Sequence, residues 1–288
     1  MSGAIARIGI VGLGKMGLPI ARHLLAKGYR VTGFDVSSEA LDAASKLGAK
    51  PAASPKAVAA ASDLVLILVG FEDEVEETIF AETGLLAGAA PGLVIAVAST
   101  VAPTAMADFA ARLGDGDIAL IDAPLCRGEG AARDGTLLVM VGGAEPVFQR
   151  CRPAFAAFAE EIFHLGALGA GQVGKMVNNL ILWTCISGNA EGFALAERLG
   201  VASDRLREAL VKSSASNWAL VTQAQRQPMP WAEKDMGIVL AEADAARLSL
   251  PLCGVVKEVV KGVKLGLGQA TPAPRKRRVA TPQPAGAK

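Results

Sequence analysis

Near the amino terminus a short apolar run leads into a glycine turn, and this pattern limits the fold to a small set of architectures. Residues 8–11 read Ile-Gly-Ile-Val, and residues 12–17 follow as Gly-Leu-Gly-Lys-Met-Gly. An apolar helical pattern begins directly after the turn. Glycine at these positions allows a tight turn and close packing of a helix against a strand. This order of strand, glycine turn and helix predicts the first unit of a parallel α/β sheet.

Short apolar runs continue to alternate with helical patterns up to about residue 165. The predicted strands are 7–11, 30–34, 64–69, 94–98, 118–122, 137–141 and 162–164. The predicted helices are 16–27, 38–47, 54–60, 72–80, 103–113 and 146–160. Such alternation predicts a doubly wound, mostly parallel α/β sheet.

A glycine-rich hinge at 166–171 ends the strand pattern, and only helical patterns follow. The segment 172–199 is apolar on nearly every side, which predicts a helix buried between two masses and joining two domains. Later helices are predicted at 203–212, with Ser203 as the N-cap, and at 217–225, 234–248 and 251–265. We therefore predict an α/β domain at 1–165, an all-α domain at 166–270 and a disordered basic tail at 271–288.

Charge and apolar content exclude several classes of protein. Lys and Arg number 29 and Asp and Glu 28, so a net charge of +1 gives no general reason to expect a nucleic-acid or membrane partner. The cations of the tail, at 275–278 and 288, are of a kind that is usually only solvated. Hydrophobic residues make up 51% of the chain, but no apolar run approaches the length of about 20 residues that a membrane helix needs.

Cysteine and histidine are sparse and widely spaced. The cysteines stand at 126, 151, 185 and 253, and the histidines at 23 and 164. These spacings favour neither a disulfide framework nor a metal site, so we predict free thiols and no bound metal. Residues 1–17 lack the pattern of a secretion signal, and we expect a cytoplasmic protein.

The glycine turn also indicates a ligand. In a strand, turn and helix of this kind, phosphates of a dinucleotide lie at the helix N-terminus. Asp35 follows Gly12 by 23 positions, where an acid binds the ribose hydroxyls. Residues 36–38 contain no Arg that could neutralise a 2′-phosphate. The sequence predicts NAD rather than NADP, bound by Asp35 and by the turn residues Gly12, Leu13, Gly14, Lys15, Met16 and Gly17.

Four segments, in this order along the chain, resemble the β-hydroxyacid dehydrogenase family, which includes 3-hydroxyisobutyrate dehydrogenases and tartronate semialdehyde reductases. They are the glycine turn, Ser-Thr-Val-Ala-Pro at 99–103, the loop at 122–137 and Gly-Gln-Val-Gly-Lys-Met-Val-Asn-Asn at 171–179. Lys-Asp-Met at 234–236 resembles a later family motif. The resemblance implies a Rossmann domain, a long interdomain helix and an all-α C-terminal domain that contributes to oligomerisation. We expect a homodimer or homotetramer.

The resemblance implies hydride transfer between NAD(H) and a small 3-hydroxyacid or its semialdehyde. Lys175 and Asn179 are one helical turn apart, so both project from one face of a helix, beside Asn178. By resemblance Lys175 is the general acid and base, Asn179 its catalytic partner, and Asn178 a substrate contact. The family pattern also places Ser99 at the substrate and assigns four residues to the cofactor: Val69, Gly70, Thr100 and Lys234.

The substrate loop departs from the family pattern. Relatives read Ser-Gly-Gly where this chain has Cys126, Arg127 and Gly128. An arginine fork suits a carboxylate or sulfonate and resembles the sulfolactaldehyde reductase branch, which implies a substrate with a second anionic group. The alternative is that Arg127 pairs with Glu129 or Asp134 at the loop surface. Cys126 is interpreted as a small packing residue in the substrate loop rather than a reactive thiol.

One residue of the cofactor loop departs from the family pattern, and two alternative functions are considered beside the dehydrogenase. Gly70 stands where relatives usually have Pro, which leaves the shape of that cofactor loop open. An imine reductase is one alternative function, and a non-catalytic NAD-binding partner protein with a basic tail is another. The family members with those functions generally lack the lysine found here at position 175, so Lys175 argues against both.

Overall fold

A computed structural model describes residues 3–224, 228–270 and 272. Its strands are β1 (Arg7–Val11), β2 (Arg30–Phe34), β3 (Lys50–Pro51), β4 (Leu64–Ile67), β5 (Val94–Val97), β6 (Ala119–Asp122), β7 (Leu125–Cys126), β8 (Leu137–Gly142) and β9 (Ala159–Gly166). Its helices are α1 (Gly17–Ala26), α2 (Ser38–Lys46), α3 (Pro55–Ala60), α4 (Glu72–Phe80), α5 (Pro103–Leu113), α6 (Gly128–Asp134), α7 (Glu145–Phe155), α8 (Ala170–Arg198), α9 (Ser203–Leu210), α10 (Trp218–Thr222), α11 (Ala232–Ala245) and α12 (Pro251–Gly266). A 3-10 helix spans Leu85–Gly88.

The strands form one sheet whose first part is parallel, in the order β3-β2-β1-β4-β5-β6. Beyond β6 lies β8, which is antiparallel to β6 and β7 and parallel to β9. The order reverses between β1 and β4, and ligands of such sheets bind at the carboxyl ends of the strands at that point. This confirms the predicted fold class, a doubly wound Rossmann sheet followed by helices.

Apolar packing on both faces explains why the parallel strands are buried. Along β4, Leu64 and Leu66 join the core beneath α1 and α7, while Val65 and Ile67 join the core beneath α3, α4 and α5. All four side chains are at most 2% exposed. Alternation along an extended strand directs successive side chains to opposite faces, so a continuous apolar run fits a sheet covered on both sides.

Several predicted element bounds are wrong. The helix predicted at 146–160 ends at Phe155, and β9 begins at Ala159. Ala159 and the two glutamates after it favour a helix locally, but pairing with β8 overrides that preference. β7 and α6 were not predicted at all. Ser203 is not the N-cap of α9, since Ala202 holds that position and the Ser203 hydroxyl donates to Glu197.

The helical part packs around α8. Its core contains Trp183 and Ile186 of α8 together with Met236 of α11 and Val260 of α12. The expectation that α8 is buried on nearly every side is wrong, because one face is exposed. The exposed fractions of Val173, Val177 and Ile181 are 46%, 50% and 58%.

The domain bounds stay a prediction. Apart from residue 272, the predicted basic tail lies outside the described residues. In the part of the chain that the structure describes, none of the helices combines the length and apolar character needed to span a bilayer.

Candidate active site

The glycine turn has the geometry that its sequence predicts. Gly12 has a φ of 97°, and a Cβ atom there would collide with the backbone oxygen of Leu68. A Cβ at Gly17 would collide with the backbone oxygen of Gly12, whereas one at Gly14 would meet no described atom within 4 Å. Met16 precedes α1, and within the described residues no side chain caps that helix start. An open glycine backbone before an uncapped helix N-terminus fits the phosphates of a dinucleotide.

Asp35 lies beside this turn. Its carboxylate accepts hydrogen bonds from the backbone N–H of Leu13 at 2.7 Å and from that of Ser37 at 2.8 Å. Each carboxylate oxygen retains a further lone pair that a ribose hydroxyl can use. The site fits NAD, since the carboxylate is held where it would repel a 2′-phosphate.

Lys15 joins the glycine turn to the loop after β7. Its ammonium lies 3.1 Å from a carboxylate oxygen of Glu129 in α6, and its side chain is 70% exposed. Such a surface pair contributes little to stability, roughly 0–1 kcal/mol. It nevertheless occupies Glu129, one of the two acids proposed as partners of Arg127.

The loop after β5 is held by neighbouring elements. The Ser99 hydroxyl donates to the backbone oxygens of Val69 at 2.8 Å and Ile67 at 3.2 Å. The backbone oxygen of Thr100 accepts from the Lys234 ammonium at 3.0 Å. Ser99 is therefore buried against the end of β4, and its contact with substrate stays a prediction.

Lys234 is not a solvated surface lysine. Its ammonium also donates to the backbone oxygen of Gly70 at 3.0 Å and lies 5.4 Å from the centre of the Trp231 ring. Burial lowers the pKa of Lys234, an effect that the carboxylate of Asp235 opposes. Lys234 thus joins α11 to the loops that follow β4 and β5, at the edge of the sheet where the cofactor is expected.

The structure also explains why Gly70 replaces the usual proline. The Gly70 N–H donates to a Glu74 carboxylate oxygen at 2.9 Å, and proline has no N–H to donate. A Cβ at Gly70 would lie 3.0 Å from the ring of Trp231. That ring in turn packs edge-on against Phe71, with centroids 5.6 Å apart.

The predicted catalytic residues meet on α8. The Lys175 ammonium donates to the backbone oxygen of Leu125 at 2.7 Å and lies 4.0 Å from the Cys126 sulfur. The Asn179 amide donates to the Asp235 carboxylate at 2.8 Å, and its oxygen accepts from the Asn178 amide at 2.9 Å. These contacts place Lys175 against β7 and join Asn178 and Asn179 to Asp235 of α11.

Asp235 is a buried carboxylate within the Lys-Asp-Met motif, and the sequence analysis assigns it no role of its own. Burial raises its pKa, while the charges of Lys234 and Lys175 and the hydrogen bond from Asn179 oppose that rise. Asp122 and Gln172 are two further buried polar residues, and neither is among the site residues predicted from the sequence. Their polar character within apolar segments was the available signal.

Arg127 pairs with neither Glu129 nor Asp134, the two partners considered from the sequence. Its guanidinium donates to Glu160 at 2.6 Å and to the backbone oxygen of Thr136 at 3.0 Å. Its φ of 81° lies in the left-handed region, which costs a non-glycine residue roughly 1–2 kcal/mol. Gly128 is also left-handed, and Cys126 is 4% exposed, as a packing residue would be.

Comparison with known proteins agrees with the fold and with NAD as the cofactor. Residues 7–166 match the family described as the NAD binding domain of 6-phosphogluconate dehydrogenase. Residues 169–272 match the family described as NAD-binding of NADP-dependent 3-hydroxyisobutyrate dehydrogenase.

Individual relatives point the same way. The chain is 38% identical over 214 residues to the NAD-dependent L-serine dehydrogenase of Pseudomonas aeruginosa, which covers 74% of this chain and 72% of that protein. It is 34% identical to the 3-hydroxyisobutyrate dehydrogenase of the same species, over 88% of this chain and 90% of that one. The solved Mycobacterium tuberculosis 3-hydroxyisobutyrate dehydrogenase with L-serine superposes with a TM-score of 0.82 at 27% identity, covering 93% of this chain and 96% of that one. This chain therefore belongs to the β-hydroxyacid dehydrogenase family and is an NAD-dependent oxidoreductase of small hydroxyacids.

Proposed function

We propose that the protein interconverts a small 3-hydroxyacid carrying a single carboxylate and its semialdehyde, with L-serine and 3-hydroxyisobutyrate as the first compounds to test. The observation that carries the choice of a single carboxylate is the Arg127–Glu160 pair. Because the carboxylate of Glu160 neutralises the guanidinium, and Glu160 and the Thr136 carbonyl both accept from its Nη1, Arg127 offers less charge to a second anionic group. The identity to an L-serine dehydrogenase supports the choice of L-serine.

The residues of α8 perform the proton chemistry in this proposal. When bound, the nicotinamide accepts or supplies the hydride. Lys175 takes the hydroxyl proton at Nζ during oxidation and returns it during reduction. Asn179 and Asn178 hold the substrate oxygen beside Lys175, and the backbone of the loop around Gly128 binds the substrate carboxylate. Cys126 packs beneath that loop, and Ser99 fixes the neighbouring backbone through its hydrogen bonds to Ile67 and Val69.

In the same proposal the cofactor lies along the carboxyl ends of β1, β4 and β5. The residues that hold it are Gly12, Leu13, Gly14, Lys15, Met16, Gly17, Asp35, Val69, Gly70, Thr100 and Lys234. The support is their common position at the edge where the strand order reverses.

The first experiment follows nicotinamide absorbance after NADH is mixed with a matched pair of aldehydes, one bearing a carboxylate and one bearing an additional or alternative sulfonate. We expect preference for the carboxylate, and L-serine and 3-hydroxyisobutyrate should reduce NAD in the reverse direction. Preference for the sulfonate would replace this proposal with the second candidate, in which the left-handed Arg127 releases Glu160 and binds the anion. In that case Arg127→Ala would raise the KM for the sulfonate and Glu160→Gln would lower it.

We also propose that the protein is a homodimer or homotetramer. Val173, Val177 and Ile181 form an exposed apolar row along α8, and Leu252 and Val255 of α12 are 57% and 61% exposed. A second copy of the chain would cover such surface. A single monomer peak in sedimentation would contradict this.

The four cysteines are free thiols, which supports a reducing compartment such as the cytoplasm.

A further inference from the structure

We propose that Gln172 is a positioning residue, which holds the loop at 99–101 in register with Lys175 on α8. The proposal rests on the proposed function of Lys175, and it concerns how the position of that lysine relative to the cofactor loop is fixed.

The side chain of Gln172 is fully buried, and both ends of its amide are used. Nε2 donates to the backbone oxygen of Ser99 at 2.8 Å, and Oε1 accepts from the backbone N–H of Val101 at 3.3 Å. The two contacts flank Thr100. A side chain must donate and accept at once to make both, which an amide does and a hydrocarbon or an ionised carboxylate does not.

The backbone of Gln172 is itself fixed. Its N–H donates to a carboxylate oxygen of Asp122 at 2.7 Å, and the Gly169 N–H donates to the other oxygen at 2.7 Å. A Cβ at Gly171 would lie 2.7 Å from Asp122, and one at Gly142 would collide with it. The end of β6 therefore determines where α8 begins. Gln172 in turn fixes the loop after β5 relative to the start of that helix.

Lys175 follows Gln172 by three residues on the same helix, so the two share nearly one turn of rigid backbone. Thr100, between the two backbone groups that Gln172 holds, is also bound by Lys234 through its carbonyl. Movement of the loop would therefore change its distance from the Lys175 ammonium. A displacement of about 1 Å in such a site can reduce turnover on the order of 100-fold.

The decisive variant is Gln172→Glu, because a protonated glutamic acid can reproduce both hydrogen bonds of the amide. Its O–H would donate to the Ser99 oxygen and its carbonyl would accept from Val101, whereas the ionised form would face the Ser99 oxygen without a proton. The charged groups around the position are Asp122 from β6, Lys175 on α8, Lys234 from α11 and Glu72 of α4, which accepts from the Ala102 N–H at 3.0 Å.

The expected result is a ratio of variant to native kcat that falls as pH rises between about pH 5 and pH 8, since a buried carboxyl group ionises above its usual range. Taking the ratio at each pH removes the pH dependence that the native enzyme and the variant share. Gln172→Met should lower kcat at every pH, by up to about 100-fold because a displacement of about 1 Å can cost that much, with little change in substrate KM. NADH affinity, measured by nicotinamide fluorescence, should be nearly native in both variants because the glycine turn and Asp35 are unchanged.

Gln149→Glu and Gln149→Met are the matched controls, since Gln149 is an exposed residue of α7 that contacts Glu145. Both should show native kcat and a variant-to-native kcat ratio that does not change with pH. The proposal would be overturned if Gln172→Glu had native kcat and a variant-to-native kcat ratio that did not change with pH. It would also be overturned if Gln172→Met lost thermal stability but kept native kcat. If Gln172→Met does not fold, the pH dependence of Gln172→Glu decides alone. Retained turnover in Lys175→Ala would contradict the proposed function. The pH dependence of Gln172→Glu would still test whether Gln172 positions the loop at 99–101.

Discussion

The side-chain amide of Asn179 donates a 2.8 Å hydrogen bond to the buried carboxylate of Asp235, which joins α8 to α11 across 56 positions of sequence. Because Asn178 donates to the Asn179 oxygen, both ends of the Asn179 amide are oriented by neighbours. The side chain that is proposed to hold the substrate oxygen beside Lys175 therefore takes its direction from a residue of another helix.

Replacing Asp235 with Asn tests that relationship. The new amide has one oxygen acceptor instead of two and no charge, so it would hold Asn179 less firmly. We expect kcat to fall, by up to about 100-fold if the Asn179 amide is displaced by about 1 Å. Steady-state kinetics would measure it, with Asp244→Asn, an exposed position on the same helix, as the control. Native kcat in Asp235→Asn would show that Asn179 does not depend on this carboxylate.

Lys175→Ala should abolish most of the turnover while NADH still binds. General acid and base catalysis contributes about 10²- to 10⁴-fold, and no other described amine takes the position of Lys175 beside Leu125 and Cys126. The measurement is kcat together with NADH affinity from fluorescence. Lys212→Ala, at an exposed position after α9, is the control. Substantial turnover in Lys175→Ala would remove this lysine from the mechanism.

Asp35 should determine the choice between NAD and NADP. Asp35→Asn removes the charge that repels a 2′-phosphate but keeps an oxygen that can accept from Leu13 or Ser37. We expect the ratio of kcat/KM for NAD to that for NADP to fall about tenfold or more, since two charges near 4 Å interact by roughly 1–4 kcal/mol. Asp42→Asn, at an exposed position of α2, should leave the ratio unchanged. An unchanged ratio in Asp35→Asn would refute the assignment.

Asp63 should make part of the stability depend on acid pH. Burial raises its pKa, but hydrogen bonds from the Arg7 side chain and from the backbone of Ala6 and Arg7 outweigh burial and hold the pKa below its usual value. The folded state therefore binds fewer protons than the unfolded state. This contribution is present above the unfolded pKa and is lost as pH falls through the folded pKa.

Urea unfolding of native protein and Asp63→Asn between about pH 3 and pH 7 would measure this effect. The native protein should have the larger free energy of unfolding at neutral pH, by on the order of 1 kcal/mol because the Arg7 side chain is partly exposed. The difference should shrink at the acid end. A difference that is constant with pH would contradict the role given to the carboxylate charge.

Features that depend on local pattern could be predicted from the amino-acid sequence alone. The glycine turn follows from steric limits at Gly12 and Gly17, and alternation of short apolar runs with helical patterns predicts the sheet. The shared face of Lys175 and Asn179 follows from helical spacing alone. Each of these needs only residues that lie close together along the chain, so an unaligned sequence contains the information.

Contacts between residues far apart in the sequence could not be predicted and are known from the folded structure. The Gln172 amide reaches Ser99 across 73 positions, and Lys234 reaches Gly70 across 164. Arg127 pairs with Glu160 on β9, a strand whose extent was not predicted because its residues favour a helix locally. A buried polar group must find a partner, but no local pattern says which one, because packing of separate elements brings the partner into reach.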